Sequence, residues 1–255
     1  MFLWLLIVSA MIPNGVCADE TTLRVAVASN FRTAIEVLAD QFRRETGYKV
    51  DLVFGSTGKH YAQILNGAPF DVFFAADTER PRLLVEQGAA LPDTRSTYAL
   101  GRLVLWSPIP GYVDRDGAVL GKGDFRHLAI ANPKLAPYGR AAEEVLRRGG
   151  HWEALRNRMV RGENISQTFQ YVGSGNAELG FVAYSQVKRR DGPVSGSCWD
   201  VPESSYSPIE QQVVLLRESA AGRALLSFIG GRSAARIIRN AGYGLPEDAE
   251  DRDAD

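Results

Sequence analysis

Four short stretches of this chain place hydroxyls and amides where a strand gives way to a helix. They are Ala28-Ser29-Asn30-Phe31, Phe54-Gly55-Ser56-Thr57-Gly58-Lys59, Asn132–Gly139 (NPKLAPYG) and Glu163-Asn164-Ile165-Ser166-Gln167. A helix start has unpaired backbone N–H groups and the positive end of a dipole, so each turn is a ready anion site. Ser and Asn at such places also serve as ordinary N-caps. In the second stretch, two hydroxyls between two glycines exceed what a cap requires, and the glycines let backbone N–H groups approach a ligand. It is not a phosphate-binding P-loop, because only Ser56 and Thr57 stand between Gly55 and Gly58-Lys59, and His60 follows where Ser or Thr is needed. Tyr138 opens the helix of the third stretch and is read either as packing or as a phenol donor. Taken together, the turns offer neutral donors to one place. That suits a small buried tetrahedral oxyanion better than a large cofactor, since hydrogen bonds and helix ends replace the lost hydration.

Other chemistries lack their residues. His60, His127 and His151 form no close metal-ligand pair, and Cys17 and Cys198 form no cluster, so no direct cation ligands are expected. There is no G-x-S-x-G elbow and no nucleophile–base pair near the turns, so the chain is read as a non-enzyme. Asp71 and Asp77 flank a strand and read as turn or capping residues. Asn164-Ile165-Ser166 fits a glycosylation sequon but reads better as a helix start. Lys59 is assigned to a helix surface. With 29 Lys+Arg against 30 Asp+Glu over 255 residues, the net charge of −1 argues against a nucleic-acid binder with a broad basic surface.

The elements that must position these turns follow from hydrophobic spacing. Leu23–Ala28, Val50–Phe54 and Asp71–Ala76 read as buried strands, and Phe31–Thr46, Gly58–Asn66 and Pro81–Gln87 as the helices between and after them. Gly47 closes the first helix as a C-cap. Strand–helix repeats this short mean a parallel sheet covered by helices. Tyr98–Trp106 reads as one long strand. A second block has strands at His127–Ala131, Met159–Arg161 and Leu179–Ala183, with helices at Tyr138–Arg148, His151–Asn157 and Ser166–Ser174. Gln211–Leu216 is a late strand, and Ala220–Ile229 and Ser233–Ala241 are closing helices. The expected fold is α/β with two lobes, each a mostly parallel sheet flanked by helices, and a ligand cleft between them. Lobe I takes residues 19–100 and 207–255, and lobe II residues 101–206. The crossings lie near Tyr98–Arg102 and Tyr206–Pro208.

The N-terminus carries an uncharged apolar run, Phe2–Met11, too short to span a membrane. Pro13 follows, then Val16-Cys17-Ala18, a small-residue cleavage pattern after Ala18. Residues 1–18 are therefore expected to be a signal peptide, with a buried N-terminal helix as the alternative. The residues before Cys17 do not suit a lipid anchor. Removal of Cys17 leaves Cys198 without a partner. The acidic end, Glu247–Asp255, reads as a tail. No stable membrane insertion is expected.

The same turns carry a resemblance. Val25–Phe31 (VAVASNF), Phe54–Lys59, Asn66–Asp77 (NGAPFDVFFAAD), Ala131-Asn132-Pro133 with Tyr138–Ala142, Glu163–Gln167 and Ala177–Ala183 (AELGFVA) form an ordered series. It resembles the periplasmic molybdate-binding proteins of ABC transporters, a branch of the type II periplasmic binding proteins. The resemblance implies that fold, a periplasmic location, a ligand of molybdate or tungstate without a cofactor, a membrane permease as partner and a monomeric protein. Carried over by matching motif, Ser29 and Asn30, Ser56 with its neighbour Thr57, the phenol of Tyr138 and the backbone N–H of Ile165 would hold the oxyanion. Many relatives place a binding Tyr just after the Gly-Phe-Val strand. Here Ala183 stands there and Tyr184 follows, on the opposite face, so Tyr138 is the favoured phenol. A receptor for sulfate or phosphate is the alternative within the class. An enzyme acting on a phosphorylated metabolite is the alternative outside it.

Overall fold

The computed structural model describes residues 22–189, 192 and 194–246. The expected signal peptide, Cys17 and the acidic tail lie outside the described residues.

The chain begins with β1 (Thr22–Ala28), a 3-10 turn (Ser29–Phe31), α1 (Arg32–Thr46), β2 (Lys49–Gly55), α2 (Thr57–Leu65), β3 (Val72–Phe74) and α3 (Glu79–Glu86). Every side chain of β1 from Val25 onward is buried, as expected of a strand covered on both faces. Helix α1 buries Ala34, Ile35, Leu38 and Phe42 and ends on Gly47 in the left-handed region, φ 79°. Strand β1 pairs in parallel with both β2 and β3.

Two strands follow where the sequence reads as one. β4 (Ser96–Gly101) and β5 (Leu103–Ser107) are separated by Arg102 and belong to different sheets. Gly101 pairs with Ile209 in the first sheet, and Leu103 with Ala183 in the second. Both halves are buried, so hydrophobicity runs through the break and conceals it. The second lobe continues with α4 (Val119–Lys122), β6 (Leu128–Ala131), α5 (Pro137–Arg148), α6 (Trp152–Leu155), β7 (Met159–Gly162), α7 (Ile165–Gly173), β8 (Leu179–Ala183), α8 (Tyr184–Val187) and β9 (Ser197–Asp200). The chain then returns through β10 (Ile209–Leu215), α9 (Ala220–Ile229) and α10 (Arg232–Asn240). Helices α4 and α8 are single turns, too short for a 3.6-residue period to register. Strand β9 is short and only half-buried. Its pairing with β5 is what makes it a strand.

The sheets have the orders β2-β1-β3-β10-β4 and β7-β6-β8-β5-β9. In each, one strand, β10 or β5, runs against the other four. Both sheets therefore point the carboxyl ends of β1, β2, β3 or of β6, β7, β8 one way, and the first helical turns gather there. One core lies between the first sheet and α1, α9 and α10, around Phe31, Phe42, Phe74 and Leu225. Another, around Leu105, Ile130, Tyr138, Leu146 and Phe181, fills the second lobe and reaches Ala28 and Ala76 of the first.

Candidate functional site

The first-lobe turns follow β1, β2 and β3, and the second-lobe turns follow β6 and β7. The structure brings them face to face. A small cavity with a free volume of about 10 Å³ is lined by Ala28, Ser29 and Asn30 from the first turn, Gly55, Ser56 and Thr57 from the second, and Ala76 after β3. The opposite wall is Ala136, Pro137 and Tyr138 with Asn164 and Ile165. All six residues singled out by the sequence, Ser29, Asn30, Ser56, Thr57, Tyr138 and Ile165, line it, and each is at most 5% exposed. Its free volume is far below the roughly 300–1,000 Å³ usual for organic ligands and, with the lobes as they stand, leaves room for about one water-sized atom. A cleft of about 550 Å³ lies elsewhere, between α1, α8 and α10, and includes Val37, Lys188 and Asn240. It is the larger of the two, but no residue of the four turns lines it.

Each lining side chain has a distinct hydrogen-bonding state. Ser56 is the N-cap of α2, its Oγ accepting from the Lys59 N–H at 3.3 Å. The hydroxyl hydrogen remains to be donated. Thr57 Oγ1 accepts from the Ala76 N–H at 3.1 Å, which ties the start of α2 to the end of β3. Tyr138 Oη accepts from Gln211 Nε2 at 3.2 Å, again leaving its hydrogen. Burial, and after it the neighbouring phenols, pushes Tyr138 well above the ordinary phenol range, so it stays a neutral O–H group at any working pH. Ser29 Oγ donates to Asn164 Oδ1 at 3.2 Å, and the same oxygen of Asn164 caps α7 by accepting from the Gln167 N–H at 3.0 Å. Thr57 and Ile165 are the first residues of α2 and α7, and Tyr138 is the second of α5. Helix geometry leaves their N–H groups without an intrahelical partner.

The Asn30 side chain is tied into the first lobe. Its Nδ2 donates to Gln211 Oε1 at 2.8 Å and to Tyr243 Oη at 3.1 Å, so both amide hydrogens are engaged within the protein. Two partners, Gln211 and Tyr243, were not singled out in the sequence. Gln211 is fully buried, and Tyr98 Oη stands 3.0 Å from its Oε1. The only hint was a polar Gln-Gln pair opening an otherwise apolar strand. Tyr184 is not among the lining residues. It lies under the Arg102 guanidinium, 4.4 Å from its ring centre.

Glycines keep the walls close. A Cβ on Gly101 would stand 2.4 Å from Tyr138 Oη, one on Gly139 2.3 Å from the Ala131 carbonyl oxygen, and one on Gly58 3.0 Å from Leu135 backbone. His60, just past the second turn, is buried packing: it meets Phe70 and Phe73 edge-on, and burial lowers its pKa. A Cβ on Gly55 would stand 2.9 Å from its Nε2.

The lobes are joined around the cavity. The Gly58 N–H donates to Leu135 O at 2.8 Å, and Ser166 Oγ to Ser29 O at 3.1 Å. Lys59, expected on a solvated surface, reaches Glu163 of the other lobe at 3.2 Å. Arg80 pairs with Asp77 and donates to Lys134 O, while Arg140 pairs with Glu79. These charges are matched on the rims, and the lining offers neutral donors. Among the described residues no group of three or more His, Cys, Asp or Glu could hold a metal ion, and no helix is long and apolar enough to cross a membrane.

A family profile for bacterial extracellular solute-binding proteins matches residues 23–244. A molybdate-binding protein of Azotobacter vinelandii is 48% identical over 231 residues, covering 89% of this chain and 92% of that one. A second, from Rhodobacter capsulatus, is 48% identical over 221 residues, 86% of each. The solved Azotobacter vinelandii periplasmic molybdate-binding protein superposes with a TM-score of 0.86 at 44% identity, covering 88% of this chain and all of that one. A sulfate-binding protein of Mycobacterium tuberculosis, TM-score 0.71 at 15% identity, shares the fold alone.

Proposed function

This chain belongs to the bacterial extracellular solute-binding proteins, and from that premise we propose that it captures molybdate in the periplasm and delivers it to the permease of an ABC transporter. Its relatives at 48% identity are molybdate-binding proteins, which supports the choice of ion. The observation that carries the reading is a small cavity between the two sheets, walled by helix starts and neutral hydroxyls. Tungstate, of the same shape and charge, is a second ligand in this proposal. The protein acts as a carrier and not as an enzyme, works as a monomer, and reaches the periplasm by means of a signal peptide at residues 1–18.

Lobe I, residues 19–100 and 207–255, and lobe II, residues 101–206, rotate about the two crossings, at Arg102 and between β9 and β10. When open, the turns are hydrated and the anion enters. When closed, Ser56 and Tyr138 donate hydroxyl hydrogens, and Thr57, Tyr138 and Ile165 donate backbone N–H groups. These charge-assisted bonds replace the ion's water. Ser29 and Asn30 hold the first turn in place, with Ser29 bridging to Asn164 of the other lobe.

Calorimetric titration of the ligand-stripped protein with molybdate, tungstate, sulfate and phosphate tests this. Tight binding of the first two and weak binding of the others is expected. Preference for sulfate or phosphate replaces the ligand assignment with the alternative receptor, and turnover of a phosphorylated compound replaces the carrier role.

A further inference from the structure

The cavity wall contains a hydrogen-bond chain whose direction can be worked out. Tyr243 Oη donates to the Asn30 backbone carbonyl at 2.7 Å, a bond whose polarity is unambiguous because a carbonyl only accepts. That oxygen is then an acceptor toward its other neighbours, Ser185 Oγ at 2.9 Å and Asn30 Nδ2 at 3.1 Å. The Asn30 side chain must therefore present its NH₂ group on that side, and its second hydrogen points at Gln211, which must answer with Oε1 at 2.8 Å. Tyr98 Oη stands 3.0 Å from the same Oε1 and 3.2 Å from the Ala75 carbonyl oxygen, and its one hydrogen goes to or between these two acceptors. With its oxygen so placed, Gln211 turns Nε2 toward Tyr138 Oη at 3.2 Å. The amide orientation, normally a matter of assignment, is dictated by a backbone carbonyl three bonds back along the chain.

Gln211 thus fills the acceptor side of the Tyr138 phenol. Tyr138 and Gln211 are both buried, and Gly101 leaves them room: a Cβ there would stand 2.4 Å from the phenol oxygen and 2.8 Å from Nε2. A phenol that accepts on its inner side has its hydrogen free for the cavity. We propose that Gln211 is a positioning residue that fixes Tyr138 as a hydrogen donor to the captured oxyanion, and so demands an unprotonated oxygen at that point of the ligand. The role rests on the oxyanion reading given above. It also joins the lobes, since Gln211 stands on β10 of the first sheet and Tyr138 on α5 of the second lobe. In the closed form the first lobe sets the donor direction of the second.

The test is a double-mutant cycle of Gln211→Glu and Tyr138→Phe, read as molybdate affinity by calorimetry at about pH 5.5 and pH 8, with folding checked by circular dichroism. An ionised carboxylate at position 211 accepts the phenol hydrogen and turns it away from the cavity. Protonated, as a buried carboxyl becomes well above the ordinary carboxyl range, it donates as the amide does. Gln211→Glu should weaken binding by about tenfold or more at the higher pH and recover at the lower. In the Tyr138→Phe background that pH-dependent loss should largely vanish. An equal loss in both backgrounds would mean plain repulsion or disordered packing, and overturns the role. Where Gln211→Glu does not fold, Gln211→Leu carries the same cycle: a loss confined to the Tyr138 background supports the role, and equal losses overturn it. Unsubstituted protein that binds no molybdate overturns the oxyanion reading itself, an outcome distinct from binding with additive losses.

Discussion

Ser56 and Tyr138 are each hydroxyls whose acceptor side is occupied inside the protein, by the Lys59 N–H and by Gln211 Nε2. In the proposed mechanism their hydrogens are donated into the cavity. Removing either as Ser56→Ala or Tyr138→Phe should cost roughly 1.5–3 kcal/mol of binding, about 10- to 150-fold in Kd by calorimetry. Both should also lose stability. Ser56→Ala removes the cap of α2 and should lower the unfolding free energy by about 0.5–2 kcal/mol, and Tyr138→Phe leaves the buried Gln211 Nε2 without its acceptor and should lower it by about 1–3 kcal/mol. If Ser56→Ala binds as tightly as the parent, its hydroxyl does not face the ligand. Cys198 is a free, half-buried thiol whose pKa is raised by burial and then by Asp200, so it is a poor nucleophile. Cys198→Ser should change neither folding nor affinity.

At the scale of an element, what matters is how closely a helix start can approach a strand end. Gly139 lets α5 sit on β6, and the obstruction to a Cβ there is backbone, which cannot rotate away. Gly139→Ala should therefore lower both the melting temperature and the molybdate affinity, by moving Tyr138. Gly173, the last residue of α7, faces open space and serves as the control: Gly173→Ala should be neutral or stabilise by up to about 1 kcal/mol. Loss of binding in both, or in neither, would deny that the approach of α5 is special. A second anchoring point is Glu178, just before β8. Burial would raise its pKa, but the His127 N–H and the Arg126 guanidinium outweigh that and hold it at about 2, below the ordinary 4.5. A carboxylate with a depressed folded-state pKa stabilises fully above its unfolded value, and the contribution is lost as pH falls toward the folded value. In denaturant titrations, parent and Glu178→Gln should differ most above about pH 5 and converge as pH falls from 4.5 toward 2. A gap that stays constant with pH would assign the difference to packing.

For the whole molecule, the closed arrangement is held by contacts of two kinds. The buried ones, Gly58 to Leu135 and Gln211 to Tyr138, sit beside the cavity, while Lys59–Glu163 bridges the rim with both side chains about half exposed. An exposed pair is worth about 0–1 kcal/mol and is screened by salt. Lys59→Ala should then raise Kd by less than about fivefold, and the difference should shrink at high ionic strength. Complete loss of binding in that variant would replace the neutral-donor mechanism with a countercharge. A ligand that binds the folded and not the unfolded chain stabilises by mass action, so molybdate at a thousand times its Kd should add about 4 kcal/mol of apparent stability, and sulfate at equal concentration little. Scanning calorimetry with each anion reads this directly.

Several features of this protein are decided by the chain locally and were legible in its sequence. A helix start depends on a cap, a glycine or a proline within a few residues, so the turns at Ser29, Ser56, Tyr138 and Ile165 could be found one by one. Their alternation with buried strands foretold two α/β lobes. Their meeting at one cavity was legible from the four turns taken together, at the carboxyl ends of their strands, and not from any single turn. Other features depend on residues far apart in the chain. The division of an apolar run into β4 and β5 follows from which partner strands each half meets, Ile209 or Ala183, and hydrophobicity is the same for both. Strand β9 exists because β5 is there to pair with it. The direction of the Tyr138 phenol is set by Gln211, 73 positions away, and that of Gln211 by Asn30, a further 181 positions back. Buried polar groups are oriented by whichever donors and acceptors surround them, and that company is assembled only when the lobes have folded and closed.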